Sequence, residues 1–353
     1  MTERVRQSDY MHWAKTQTPA RYNLASSEVP HFSMSRWQID PAALDLDGAS
    51  RYRYPPLREA IARKCGVTAD RVVMADGTSM ANMLAMAALI APGDDVLIEH
   101  PAYEPLVATA RFLGAEVKRF TRSGPAFALD PDAVAREVGE RTRLIVLTNL
   151  HNPTGALADS DTLRQIGALG PLVLIDEVYL DAAPGEASAH HLGDAFVCTS
   201  SLTKVHGLSG LRCGWILAAP DLAERIWRLN ELFGVAQAHA DERLSCIALE
   251  RLDEVAGDTP ALLARNRALA NAFFESRDDL EVAPMVHNVT CFPRLLRGDV
   301  DALHADLRAR ADTAIVPGRF FGLADHFRIG VGGPTEMVAG GLERLGAALD
   351  AIR

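Results

Sequence analysis

Short, almost wholly apolar runs alternate with longer stretches of helical periodicity between residues 70 and 220. The runs VVMAD (72–76), DDVLIEH (94–100), AEVKRF (115–120), RLIVLTN (143–149), PLVLIDE (171–177), FVCTS (196–200) and CGWILAA (213–219) are of strand length. Between them the helical spacing of apolar positions covers about 79–90, 103–113, 131–138 and 159–169. Strands that are apolar at every position are buried on both faces, and intervening helices make the crossovers that parallel strands need. The pattern predicts an α/β fold: a mostly parallel sheet sandwiched by helices.

Beyond residue 221 the texture changes. Helical stretches over 222–232, 241–255 and 260–276 precede short strand-like runs, VTCFPRL, TAIVPG and HFRIGVG, and a last helix over 334–352. This reads as a smaller α+β domain, and the first 45 residues, which lack a sheet pattern, are expected to join it. The expected division is 46–235 for the large domain and 1–45 plus 236–353 for the small one. A chain of 353 residues is longer than one core usually supports, which agrees with two domains.

With 36 basic against 46 acidic side chains the formal charge is −10, which argues against nucleic-acid binding as the main task. The five cysteines are scattered and form no C-x-x-C pair, so neither a zinc site nor a disulfide framework is expected. No apolar run is long enough for a membrane span, and the start lacks a signal-peptide pattern; a cytoplasmic location is the expectation.

Candidate chemistry gathers where the strand-like runs end. SSLTKVHGLSGLRCGW (200–215) offers Lys204, hydroxyls at Ser201 and Thr203, Arg212 and three glycines. A phosphate needs cations, hydroxyl or amide donors and close backbone approach, and a lysine amine that is partly desolvated can attack an aldehyde. PLVLIDEVY ends on Asp176, with Tyr179 three residues later; a carboxylate buried there can face a cation such as a protonated pyridine nitrogen. LTNLHNPTG (147–155) places Asn152 on a turn, and DGTSMAN (76–82) puts Gly77, Thr78 and Ser79 at a helix start, where amides and the helix dipole suit an anion. Taken singly, each segment reads as a surface loop, a cap or a turn.

In this order and spacing the segments resemble the class I/II aminotransferase superfamily of fold-type I pyridoxal-phosphate (PLP) enzymes. The pattern S-x-x-K-x-x-G-L-x-G-x-R-x-G is filled at every position by Ser201, Lys204, Gly207, Leu208, Gly210, Arg212 and Gly214, with N-P-T-G and D-E-x-Y upstream. The resemblance covers most of the chain, from NLASSEVP (23–30) to FRIGVG (327–332). It implies that Lys204 carries PLP as a Schiff base and shuttles the proton, that Asp176 pairs with the ring nitrogen, and that Asn152 and Tyr179 bind its phenolate oxygen. By the same resemblance, Ser201, Arg212, Gly77, Thr78 and Ser79 hold the phosphate and Tyr103 stacks on the ring. Arg328 grips the substrate α-carboxylate, with Asn152 and Ser27 beside it. A tyrosine from a neighbouring subunit reaches the phosphate in this family. In SRYRYPPLREA that role is open to Tyr52 and Tyr54, with Tyr54, which precedes a proline, the preferred of the two; the resemblance implies a homodimer with shared sites.

His206 stands where the family has an aromatic residue, and His287 lies before a small-domain strand near the expected substrate pocket. The implied activity is ping-pong transfer of an amino group between an L-amino acid and a 2-keto acid. The alternative is a PLP-dependent lyase, decarboxylase, cyclase or oxidase using the same cofactor contacts. No metal is expected.

Overall fold

A computed structural model describes residues 7–46 and 48–352. Its centre is a seven-stranded sheet of β2 (Val72–Asp76), β3 (Asp95–His100), β4 (Glu116–Thr121), β5 (Thr142–Thr148), β6 (Leu172–Asp176), β7 (Phe196–Ser201) and β8 (Cys213–Leu217), in the order β2-β8-β7-β6-β5-β3-β4. Only β8 runs against its neighbours; the pairings among β3 to β7 are all parallel. The unbroken apolar runs have their reason here. Leu144 to Leu147 and Val173 to Ile175 are fully buried, because helices cover the sheet.

Helix α3 (Gly77–Leu89) crosses β6, β7, β8 and β2 and meets α4 (Glu104–Phe112) and α7 (Pro220–Asn230). It is apolar almost all round, as a helix buried against a sheet and two helices must be. Also packed on this domain are α2 (Pro55–Cys65), α5 (Pro131–Glu137), α6 (Ser160–Gly167), α8 (His239–Glu250) and α9 (Leu252–Ala256). The run expected as one helix over 241–255 is two, broken at Arg251. Ala248 and Val255 belong to the larger core, so α8 and α9 join the sheet's domain although they lie beyond the expected boundary at residue 235.

A second core lies between α10 (Thr259–Glu275), α11 (Val300–Ala311), α12 (Thr335–Ala351) and short strands. Of these strands, β10 (Thr290–Cys291), β13 (Val316–Pro317) and β14 (Phe327–Gly330) form one sheet, in the order β10-β14-β13. The N-terminal chain joins this part, as β1 (Tyr22–Asn23) pairs with β12 (Thr313–Ala314) and Leu24 enters the core. A pair β9 (Leu280–Glu281) with β11 (Arg294–Leu295) completes it. Helix α1 (Asp9–Thr16), capped by Ser8, lies across the opening between the two cores. No helix among the described residues is long and apolar enough to cross a membrane, and none of their His, Cys, Asp and Glu side chains cluster as a metal site.

Candidate active site

The chemistry-bearing segments all follow the carboxyl ends of strands: Gly77 after β2, Asn152 after β5, Asp176 at the end of β6, and Ser201 to Lys204 after β7. Open parallel sheets bind ligands at this edge. There Asn152, Asp176, Thr203 and Lys204 line one cavity of about 710 Å³, together with Ser27, Thr78, Ser79, Tyr103, Tyr179, Arg212 and residues of α1 and α11, while Gly77 and Ser201 adjoin it through Arg212 and Thr78.

At its end on the sheet edge, its inner end, the cavity has an anion cradle. Thr78 donates to Ser201 across 2.8 Å, and the Thr203 hydroxyl is buried without a partner. Arg212 arches over Gly77, donating to the carbonyls of Ser209 (3.2 Å) and Asp76 (3.1 Å). A Cβ on Gly77, whose φ is +78°, would strike the Arg212 guanidinium, and one on Gly214 would strike the backbone of Gly77. Hydroxyls, an arginine and the first amides of α3 thus converge with no side chain between them, as a phosphate requires.

Asp176 is 5% exposed and accepts from Asn82 Nδ2 at 2.7 Å and from the Val178 amide at 3.1 Å. Burial outweighs these bonds and pushes its pKa up to about 6. Such a carboxylate is completed by a cation within reach, and a ring nitrogen that holds a proton fits. Thr199 donates to Asn82 Oδ1 at 2.6 Å and so fixes which end of the amide faces Asp176. Asn152 rests on a second buried set. Its amide donates to Thr148 Oγ1, and Thr148 donates through its amide (2.7 Å) and hydroxyl (2.8 Å) to Glu99, which pairs with Arg122 at 2.7 Å. The residues present fit PLP.

The other end is built differently. Arg328, on β14 and 1% exposed, donates to Asn152 Oδ1 (3.1 Å), to the Tyr10 hydroxyl (2.9 Å) and to the Ala25 carbonyl (3.1 Å). Tyr10 packs edge-on to Tyr103, with ring centres 5.8 Å apart. Tyr103 donates to the Met11 sulfur, so α1 is fastened over the site. Lys204 Nζ lies 2.7 Å from Glu28 Oε1. Burial favours the neutral amine of Lys204, but Tyr179 and Glu28 outweigh it and hold its pKa above the ordinary lysine value.

Of the residues expected at the site, Tyr54 is not in this cavity. It caps α2, is 3% exposed and stands edge-on to His239 at 5.4 Å. His206 faces away, bonded at 2.8 Å to Asp181, and His287 lies outside the lining. Sequence reasoning missed Asn82, Glu99, Arg122, Tyr10 and Glu28. Asn82 and Glu99 had a signal, a polar residue inside an apolar run; Arg122, Tyr10 and Glu28 had none.

The family model "Aminotransferase class I and II" matches residues 23–345. Capreomycidine synthase of Streptomyces vinaceus is 30% identical over 351 residues, 94% of this chain and 90% of that one. Histidinol-phosphate aminotransferase 1 of Mesorhizobium japonicum is 28% identical over 308 residues, covering 82% of this chain and 81% of its own. Among solved structures, a PLP-dependent aminotransferase from Streptococcus suis superposes with a TM-score of 0.91 at 21% identity, over 99% of both chains. The PLP-dependent cyclase OrfR superposes at 0.87 with 26% identity, over 99% of this chain and 100% of its own.

Proposed function

The chain belongs to the class I and II aminotransferases, a fold-type I PLP-dependent family, and we propose that it exchanges an amino group between an L-amino acid and a 2-keto acid. The observation that carries this reading is the meeting of Lys204, Asp176 and Asn152 in one cavity with an anion cradle at its inner end, and with Arg328 bonded to Asn152 and Tyr10 behind its wall. PLP supplies an electron sink for the charge left at Cα when its proton departs. Asp176 keeps a proton on the ring nitrogen, and Asn82 holds that carboxylate in place. Thr78, Ser79, Ser201, Arg212 and the Gly77 amide take the phosphate, Tyr103 lies against the ring, and Asn152 and Tyr179 take its phenolic oxygen. Arg328 turns its fork to the substrate carboxylate, with Asn152, Ser27 and Tyr10 around it. Lys204 carries the cofactor and moves the proton from Cα.

A homodimer is part of this proposal. Leu232, at 81% exposure, stands out with Phe233 and Val235 beside Tyr52, whose hydroxyl bonds Glu231. A second copy would cover this apolar edge, and Tyr54 is assigned to its phosphate end.

Cyclisation, elimination or another PLP reaction is the second reading, and the likeness to capreomycidine synthase over most of both chains supports it. One titration separates the two. The protein loaded with PLP is mixed with single L-amino acids while its visible band, keto acid and ammonia are followed. Loss of the band with keto acid formed, and its return with a 2-keto acid, is expected. Ammonia or a ring-closed product without keto acid overturns transamination in favour of the second reading.

A further inference from the structure

Glu28 lies in the segment NLASSEVP, and the place of its carboxylate is set by backbone bonds. The Val29 amide donates to the Lys204 carbonyl at 3.1 Å and the Phe32 amide to the Gly207 carbonyl at 3.1 Å, so residues 29–32 are zipped to the lysine loop. On the other side the chain lies so close to Gly330 and Gly332 that a Cβ on either would strike the carbonyls of Ser26 and Glu28. Clamped between two loops, the Glu28 side chain faces the cavity and meets Lys204 Nζ at 2.7 Å.

We propose that Glu28 is a second acid–base group of this site, a carboxylate that receives the surplus proton of the incoming amino acid's ammonium. The inference rests on Lys204 being the cofactor-bearing lysine. A carboxylate beside that nitrogen favours its protonated state. The substrate nitrogen arrives with three protons and keeps one when it replaces the Lys204 nitrogen on the cofactor's carbonyl carbon. One of the two released goes to Lys204, which leaves as a neutral amine as its bond to that carbon breaks. The other goes to Glu28, which becomes a carboxylic acid. Charge and protons balance, and Lys204 is left as the base for Cα. Around the pair stand Tyr179, Tyr10 and Asp176 on the Lys204 side and Lys15 and His31 on the Glu28 side.

The test is a spectroscopic pH titration of the PLP-loaded protein with no substrate present, for wild type, Glu28→Gln and Glu28→Asp. Loss of a charge this close is expected to lower the midpoint of the lysine–cofactor band by about one pH unit or more in the Gln variant. The Asp variant is expected to recover most of the shift. A midpoint unmoved in Glu28→Gln overturns the proposal while leaving the reading of Lys204 standing; a wild-type protein that forms no visible band with PLP removes both. If Glu28→Gln does not load, reductive methylation of Lys204 against pH in the cofactor-free proteins gives the same answer: a midpoint lower than wild type supports the pair, an equal one overturns it.

Discussion

The two ends of the cavity are made from different kinds of material. The cradle and Asp176 come from loops at the end of one sheet, each held by buried bonds to its neighbours, as Thr78 is to Ser201 and Asp176 to Asn82. The opposite end joins parts of the chain that are remote from one another. Arg328 meets Tyr10 across 318 positions, and Glu28 reaches back across 176 to Lys204, which belongs to the sheet end. The inner end suits a ligand that stays, and rigid strand ends hold it. The outer end must admit and release substrates, and it is formed where a terminal helix and the smaller core close on the sheet. On this reading the first end sets the class of chemistry and the second selects what is transformed.

Substitutions at the two ends should therefore fail in different ways. Lys204→Ala is expected to remove the visible band and lower turnover on the order of 10³-fold or more, read by absorbance and by keto-acid assay. Asp176→Asn is expected to lower kcat by roughly 10³-fold. It should also have an opposite effect on the cofactor-free protein. The folded-state pKa of Asp176 is raised to about 6 from 3.8, so the folded chain binds the proton more tightly than the unfolded one. Its contribution is then fully present below pH 4 and is lost as pH rises to 6. The Asn variant should accordingly be more stable than wild type above pH 6, by up to about 3 kcal/mol in urea unfolding. Equal stability of the two would mean that Asp176 is not strained by its burial.

At the outer end the losses should appear mainly in KM. Arg328→Ala is expected to raise KM for the amino acid about 30- to 150-fold, with the visible band kept, as loss of a charged bond of about 2–3 kcal/mol implies. Tyr10→Phe removes one neutral hydroxyl and should cost about fivefold in kcat/KM. If Arg328→Ala instead abolished cofactor loading, the division between the two ends would not hold.

Much of the inner end was legible because its residues sit in short contiguous segments. A strand end and the loop after it carry position and chemistry together, so S-L-T-K, N-P-T-G and D-E-V-Y could be read with their spacing. The same continuity made the parallel sheet legible, since a strand buried on both faces writes an unbroken apolar run. What stayed hidden depended on contacts between elements. Asn82 reads as one polar residue on an apolar helix until Thr199 and Asp176 appear on either side of it. Helices α8 and α9 change texture with the C-terminal region, yet α8 packs on α2 and the sheet and α9 on α8.

By itself the sequence determined the fold class and the cofactor, and it marked the segments that gather at the sheet edge, because local patterns encode strand burial and loop chemistry within a few residues. Only the tertiary structure decided that α1 covers the site, that Tyr10 meets Arg328 and that Glu28 meets Lys204. Those meetings depend on how two cores and a terminal segment close on each other, and no local pattern of side chains specifies that approach.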